Sequence, residues 1–196
     1  LGLEPEQRVL LVLPDSVEFV YTWFGVLKAG GVFAMVNPRL PSEDYTYYLE
    51  YTRARVLVTT REVADRIGPA IEASPYLKGV HVVDVEGAPQ LDFHTALQAE
   101  EPTFITFPTH RDDIAGWLFT SGSTGHPKAA VHRHHDFAWN TERYAKQVLG
   151  IRPDDRTLSV AKLYFGYATG TNLMFPFAVG AATVLFSGAP KPPLLF

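Results

Sequence analysis

Apolar and polar positions follow two rhythms along this chain. Residues 8–13 (R-V-L-L-V-L) form a short unbroken apolar run, the pattern of a strand buried on both faces. Pro14 closes it. Asp15 stands three residues before Glu18, a capping-box-like start, and Val17, Val20, Phe24 and Leu27 then recur at helical spacing until Gly30-Gly31 ends the helix. Residues 32–36 read as the next strand. Asn37-Pro38 and Pro41-Ser42 mark a loop before a second helix, with Glu43 and Asp44 in its first turn and Tyr45, Tyr48 and Leu49 as its apolar stripe. A third strand is expected at 56–59, a helical segment interrupted by Gly68-Pro69 at 61–73, and a fourth strand at 80–85.

Strands alternating with helices at this spacing imply parallel pairing through right-handed crossovers, so residues 1–85 read as a doubly wound α/β unit. The periodicity fades over 86–113, where Pro89, Pro102 and Pro108 are scattered among polar residues, and we read a connecting excursion. A second α/β unit follows over 114–196: strand (114–119), glycine-rich loop, short strand (129–132), and a helix from about Asp136 to Leu149 capped by Gly150. A strand at 157–161, a helix at 169–179 broken by Pro176 and a last strand at 181–186 complete it. The expectation is an α/β fold of two doubly wound βαβ runs with mostly parallel sheets.

The stretch that carries chemistry is residues 118–128, L-F-T-S-G-S-T-G-H-P-K. Glycines let backbone N–H groups approach a guest, the hydroxyls of Thr120, Ser121, Ser123 and Thr124 add donors, and Lys128 adds a compact positive charge. A polyphosphate suits such a loop. It is not a Walker loop, because Gly125 is followed by His126-Pro127 and the lysine comes one place late, with Ala129 after it. Nor does it fit G-x-G-x-x-G. A plain polar turn would share some of this composition.

The chain of 196 residues, 46% apolar, can bury a core without staples, and it contains no cysteine, which excludes disulfides, thiolate nucleophiles and Cys-based zinc sites. A reducing, cytoplasmic setting is the default expectation. The net charge of −4 offers no basic field for a nucleic acid, and no apolar run approaches the ~20 residues that span a bilayer. His132, His134 and His135 invite a metal reading, but no Asp, Glu or His is spaced to complete a shell. Asp112-Asp113 and Asp154-Asp155 fit turns and caps. Ser121 has no His/Asp arrangement suggesting a triad. Leu1 at the start and K-P-P-L-L-F at the end give the look of a piece of something larger.

The motif T-S-G-S-T-G-H-P-K resembles the phosphate-binding signature of the adenylate-forming (AMP-binding) superfamily of acyl- and aryl-CoA synthetases, luciferases and peptide-synthetase adenylation domains. Ala129 departs from it, standing where that family usually has glycine. The resemblance runs on through residues 8–38, Tyr47, Tyr48, Leu49 and residues 53–58. Downstream, A-K-L-Y-F-G-Y-A-T-G-T-N and F-P-F-A-V-G-A-A-T-V-L-F are most similar to the benzoate and hydroxybenzoate CoA ligases. This implies part of the large N-terminal domain of an enzyme more than twice this length. It also implies ATP-dependent activation of a carboxylic acid, aromatic by the second match, through an acyl-adenylate to a CoA thioester. ATP, Mg²⁺ and CoA are the implied cofactors. The resemblance assigns nucleotide binding to Thr120, Ser121, Gly122, Ser123, Thr124, Gly125 and Lys128, catalytic roles to Lys128 and Thr124, and the metal to Thr124. Phe165, Gly166 and Tyr167 fall at the aryl pocket, although Tyr164, Phe165 and Tyr167 could equally pack the sheet. It places the adenine-contacting motifs, a Mg²⁺-holding glutamate and a mobile C-terminal domain beyond residue 196, so the isolated stretch is expected to be inactive. An aliphatic acyl-CoA ligase, an amino-acid adenylation domain and a non-catalytic phosphate-binding module remain open.

Overall fold

The computed structural model describes residues 3–85, 92–120, 125–189 and 191. Its first half is strand and helix in turn: β1 (Arg8–Val12), α1 (Val17–Lys28), β2 (Val32–Met35), α2 (Ser42–Thr52), β3 (Val56–Thr59), α3 (Arg61–Arg66), α4 (Gly68–Ala73) and β4 (Gly79–Val82). Gly68-Pro69 splits the third helical segment, as the pattern predicts, with the proline inside the first turn of α4 where its missing N–H matters least. β1 to β4 pair in parallel in the order β4-β3-β1-β2. The chain steps one way from β1 to β2 and back past β1 to β3. Right-handed crossovers in opposite directions put their helices on opposite faces of a sheet.

The side chains agree. Val9 and Leu11 of β1 pack with Phe19, Val20 and Trp23 of α1, while Leu10 and Val12 pack with Tyr45, Tyr48 and Leu49 of α2, Val63 of α3 and Ile67 just after it. Each strand therefore needs apolar residues at successive positions, which is why β1 and β2 read as unbroken runs. At ~25 cal/mol per Å² of buried apolar surface, these two layers supply the main drive for folding.

The capping-box start expected from Asp15 and Glu18 is not what forms. Ser16 is the cap, its hydroxyl accepting from Phe19 N at 3.2 Å, and Asp15 is turned into the core. Either residue could cap by its chemistry; the choice follows from a buried partner for Asp15 far along the chain.

The excursion contains a short helix that fading periodicity concealed, α5 (Phe93–Gln98), capped by Asp92, which accepts from His94 N at 3.0 Å and Thr95 N at 3.3 Å. Its later part crosses the end of α1: Phe107 N donates to Lys28 O at 2.8 Å, and the ring lies where a Cβ on Gly30 (φ 75°) would stand. The chain then enters β5 (Ile114–Thr120) and β6 (Lys128–Arg133). β5 lies parallel to β2, pairing Phe33 with Gly116 and Met35 with Leu118, and β6 turns back antiparallel at the edge. The mixed α/β architecture and mostly parallel sheet follow the pattern. The order β4-β3-β1-β2-β5-β6 adds that the strand opening the second run extends the sheet of the first.

From β6 the chain enters α6 (His134–Asn140), which continues in wider i→i+5 turns over Thr141–Leu149 and ends at Gly150. β7 (Arg156–Leu158) and β8 (Ala182–Val184) form a separate two-stranded parallel sheet. Between them run α7 (Gly166–Thr169), a wide-turn stretch over Gly170–Met174, and α8 (Phe175–Val179). Pro176 sits in the first turn of α8 and does not break the helix. Leu163 and Leu173 insert into the α1 face of the large sheet and tie this second layer to it. No helix among the described residues is long and apolar enough to cross a membrane.

Candidate active site

β5 and β6 pair antiparallel, and the glycine-rich stretch lies between them in the sequence. Thr120 pairs with Lys128, and Thr120 Oγ1 donates to Lys128 O at 3.3 Å. Lys128 is thus the first residue of a strand, with its backbone fixed by the sheet and its side chain exposed. Thr120 and Gly125 are exposed too, and Gly125 (φ 111°) holds a conformation that suits glycine, with open space where a side chain would go. Ser121, Gly122, Ser123 and Thr124 lie outside the described residues. The segment carrying Lys128 is also held from α2, where Tyr47 Oη donates to Pro127 O at 2.7 Å and the Tyr47 ring stacks on His126.

Phe165, Gly166 and Tyr167 open α7. A Cβ on Gly166 would meet Leu118 Cδ1 at 3.0 Å, so this turn lies directly against the strand that leads into the loop. Phe165 is 50% exposed and Tyr167 72% exposed; of the three nearby aromatics only Tyr164 packs on the core. The turn is held from below. Leu163 N donates to Asp15 Oδ1 at 2.8 Å, Phe165 N to Lys162 O at 2.9 Å, and Thr169 Oγ1 to Leu163 O at 2.7 Å. Asp15 is 3% exposed, and burial raises its carboxyl above the usual carboxylate range, with the Leu163 N–H and the nearby Lys162 charge opposing the rise. Burial likewise lowers Lys162, against the pull of Asp15. Its ammonium donates to the carbonyl of Phe186 and lies 4.5 Å from that ring. The buried acid thus holds the backbone on which the expected aryl wall stands, and the buried base ties the start of that segment to Phe186.

A comparison of the sequence with protein families matches residues 1–196 to the family of AMP-binding enzymes. The chain belongs to the AMP-binding enzyme family. A curated relative in this family, the benzoate–CoA ligase of Thauera aromatica, is 40% identical over 196 residues, which is 100% of this chain and 37% of the relative. Among solved structures, an anthranilate CoA ligase in complex with anthranoyl-AMP superposes with a TM-score of 0.91 at 35% identity, over 96% of this chain and 36% of that one. A benzoate CoA ligase from Burkholderia xenovorans gives 0.89 at 33% identity, over 100% of this chain and 38% of its own. The chain therefore spans little more than a third of the length of the AMP-binding enzymes it matches.

Two of the three clustered histidines, His132 and His135, are engaged locally, whereas His134 Nε2 is buried without a hydrogen-bond partner among the described residues. His135 Nδ1 lies 3.0 Å from Asp112 and its Nε2 3.0 Å from Asp136, and His132 Nδ1 lies 3.3 Å from the same Asp136. Among the described residues no group of three or more His, Asp or Glu side chains could hold a metal ion. Asp113 and Asp155 accept from the backbone at His110 and Arg152, as turn carboxylates do. Two clefts, about 440 and 670 Å³, run along α6, and none of the expected site residues lines either. Trp23, Phe137 and Met174 stand in the walls of the first, and Arg111, Trp139 and Arg143 in those of the second. The sequence reading missed the burial of Asp15 and Lys162, because each looks locally like a cap or a surface charge. It also passed over Tyr47 and Tyr51 as loop contacts, although their i, i+4 spacing signals one shared helix face.

Proposed function

We propose that the complete polypeptide carrying this chain activates a carboxylic acid of the benzoate class with ATP and transfers the acyl group to the thiol of CoA. The carrying observation is the contact of Gly166 with Leu118, which sets an aromatic turn against the strand feeding the phosphate loop. Sequence identity to aryl-CoA ligases across the whole chain supports the same reading. In the first step the acid carboxylate attacks the α-phosphorus of ATP, the bond to the bridging oxygen of pyrophosphate breaks, and an acyl-adenylate forms. In the second, a thiolate attacks the acyl carbon and AMP leaves.

The obstacle is repulsion between an anion and a polyanion. Thr120, Ser121, Gly122, Ser123, Thr124 and Gly125 would supply N–H and O–H donors to the departing pyrophosphate, and Lys128, its backbone anchored in β6, would place a cation there without reorganisation. Mg²⁺ would be carried by the phosphate oxygens, with Thr124 the hydroxyl assigned to it, and supplies charge neutralisation when bound. Phe165, Gly166 and Tyr167 would form one wall for the aryl ring. These 196 residues hold the leaving-group grip and that wall, so turnover is expected only from the longer polypeptide; acid-dependent AMP release from this stretch alone would refute this.

Lys128→Ala in the complete polypeptide should slow acid-dependent ATP–pyrophosphate exchange by about 10²-fold, the usual effect of removing one oxyanion-type donor. The affinity for acid should be unchanged. Equal losses in exchange and in acid titrations would count against the role. A panel of acids with benzoate first separates the aryl reading from aliphatic or amino-acid activation, and no exchange with any acid would favour a phosphate-binding module without catalysis.

A further inference from the structure

α2 lays an aromatic face across β5 and the start of β6. On β5, Tyr48 meets Phe119 edge-on at 4.7 Å between centroids, and Tyr51 lies 5.6 Å from Phe119 and 5.9 Å from Trp117. Beside β6, Tyr47 stacks on His126 at 4.7 Å with 22° between planes and donates its hydroxyl proton to Pro127 O at 2.7 Å. Tyr51 Oη accepts from Ala129 N at 3.4 Å. Lys128 is therefore bracketed: the residue before it and the residue after it are each tied by a hydrogen bond to α2. Tyr47 and Tyr51 also contact each other, at 5.5 Å.

Such a clamp is needed for a physical reason. Among the described residues β6 is the outermost strand and its far edge has no ladder partner, and Gly125 beside it has the freedom of glycine. Left to the Thr120–Lys128 pair alone, the arm from Gly125 to Lys128 would fray, and its cation would lose the fixed position that electrostatic stabilisation requires. The hydroxyls do what a neighbouring strand would do elsewhere. An aromatic ring adds bulk at little conformational cost, since it has only two side-chain torsions to fix.

We propose that Tyr47 and Tyr51 are positioning residues that hold Lys128 in place for the nucleotide's phosphates, an inference that rests on the adenylating function proposed above. Tyr47→Phe deletes one hydrogen bond and keeps the stack on His126, so the KM for ATP in pyrophosphate exchange should rise about fivefold to tenfold. Tyr47→Ala should raise it further. The KM for acid should stay within twofold in both variants, a split that general loss of structure would not produce. In the Lys128→Ala background Tyr47→Ala should add little, because a brace has no effect once the cation is gone.

An unchanged KM for ATP in Tyr47→Ala, a parallel rise for acid, or full additivity with Lys128→Ala would each overturn the inference. If the unsubstituted polypeptide shows no exchange with any acid, the proposed function fails. The brace is then read from hydrogen exchange at the Lys128 and Ala129 amides: faster exchange in Tyr47→Ala, with the core amides of β1 unchanged, supports it, and unchanged exchange overturns it.

Discussion

Gly116→Ala adds one methyl group at the most crowded point on the strand that feeds the loop. The new Cβ would stand 2.1, 2.4 and 2.6 Å from Cζ, Cε2 and Cε1 of Phe33, the residue paired with Gly116 across β2 and β5. Carbon atoms in contact prefer about 3.5–4.0 Å, so the ring must withdraw by roughly 1 Å or more. It has nowhere to go: Phe33 is fully buried, with Trp23 at 5.0 Å and Phe137 at 5.9 Å between ring centroids. Overpacking of this kind costs about 1–3 kcal/mol. Against it stands the reduced freedom of an unfolded chain with alanine in place of glycine, about 0.4–1 kcal/mol in favour of the variant. The steric effect wins, and the net expectation is a loss of about 1–2 kcal/mol. Urea unfolding followed by tryptophan fluorescence should show a lower midpoint at unchanged slope, since Trp23 touches the displaced ring. Phe33→Leu in the Gly116→Ala background should restore part of the loss, so the two substitutions together should cost less than the sum of each alone. A midpoint equal to or above that of the unsubstituted protein would refute the reasoning, and strict additivity would place the clash elsewhere.

Asp15→Ala leaves the buried Leu163 N–H without its acceptor and should cost about 1–3 kcal/mol, whereas Asp15→Asn keeps an acceptor and should cost less; equal loss in both would be contrary. Because burial raises the carboxyl in the folded state, the native protein retains this proton longer than the unfolded chain, so the Asp15 contribution to stability declines as pH rises from its unfolded value near 3.8. Urea midpoints across a pH series should therefore fall less steeply above that value in Asp15→Asn. Gly166→Ala meets only the flexible end of Leu118 at 3.0 Å and should change stability by less than about 1 kcal/mol, but the methyl group intrudes on the proposed aryl wall. Its kcat/KM for benzoate-class acids should drop about tenfold while the KM for ATP holds, as an acid panel would show.

Much of the frame is legible locally because its signals are short-range. A strand covered on both faces must be apolar at every position, and residues 8–13 state this directly; a helix with one buried face must repeat at helical spacing, and α1 does. The anion loop is legible for the same reason, since donors, glycines and the lysine lie within nine consecutive positions. The capping choice at α1 was not. Ser16 and Asp15 are both able caps, and the tie is broken by the backbone of Leu163, 148 residues away. The helix α5 hid among prolines because six residues give too little periodicity to detect.

By itself the sequence determined the succession of strands and helices, the burial of the central strands on both faces, and the chemical character of residues 120–128. The tertiary structure decided that β5 joins the first sheet at Phe33 and Met35, that the turn at Gly166 rests on Leu118, and that two tyrosines of α2 flank Lys128. These are pairings between segments far apart in the chain, 48 residues at the nearest, from Leu118 to Gly166. Periodicity says which face of an element is apolar, but which partner covers that face is settled only when all the elements compete for the same core.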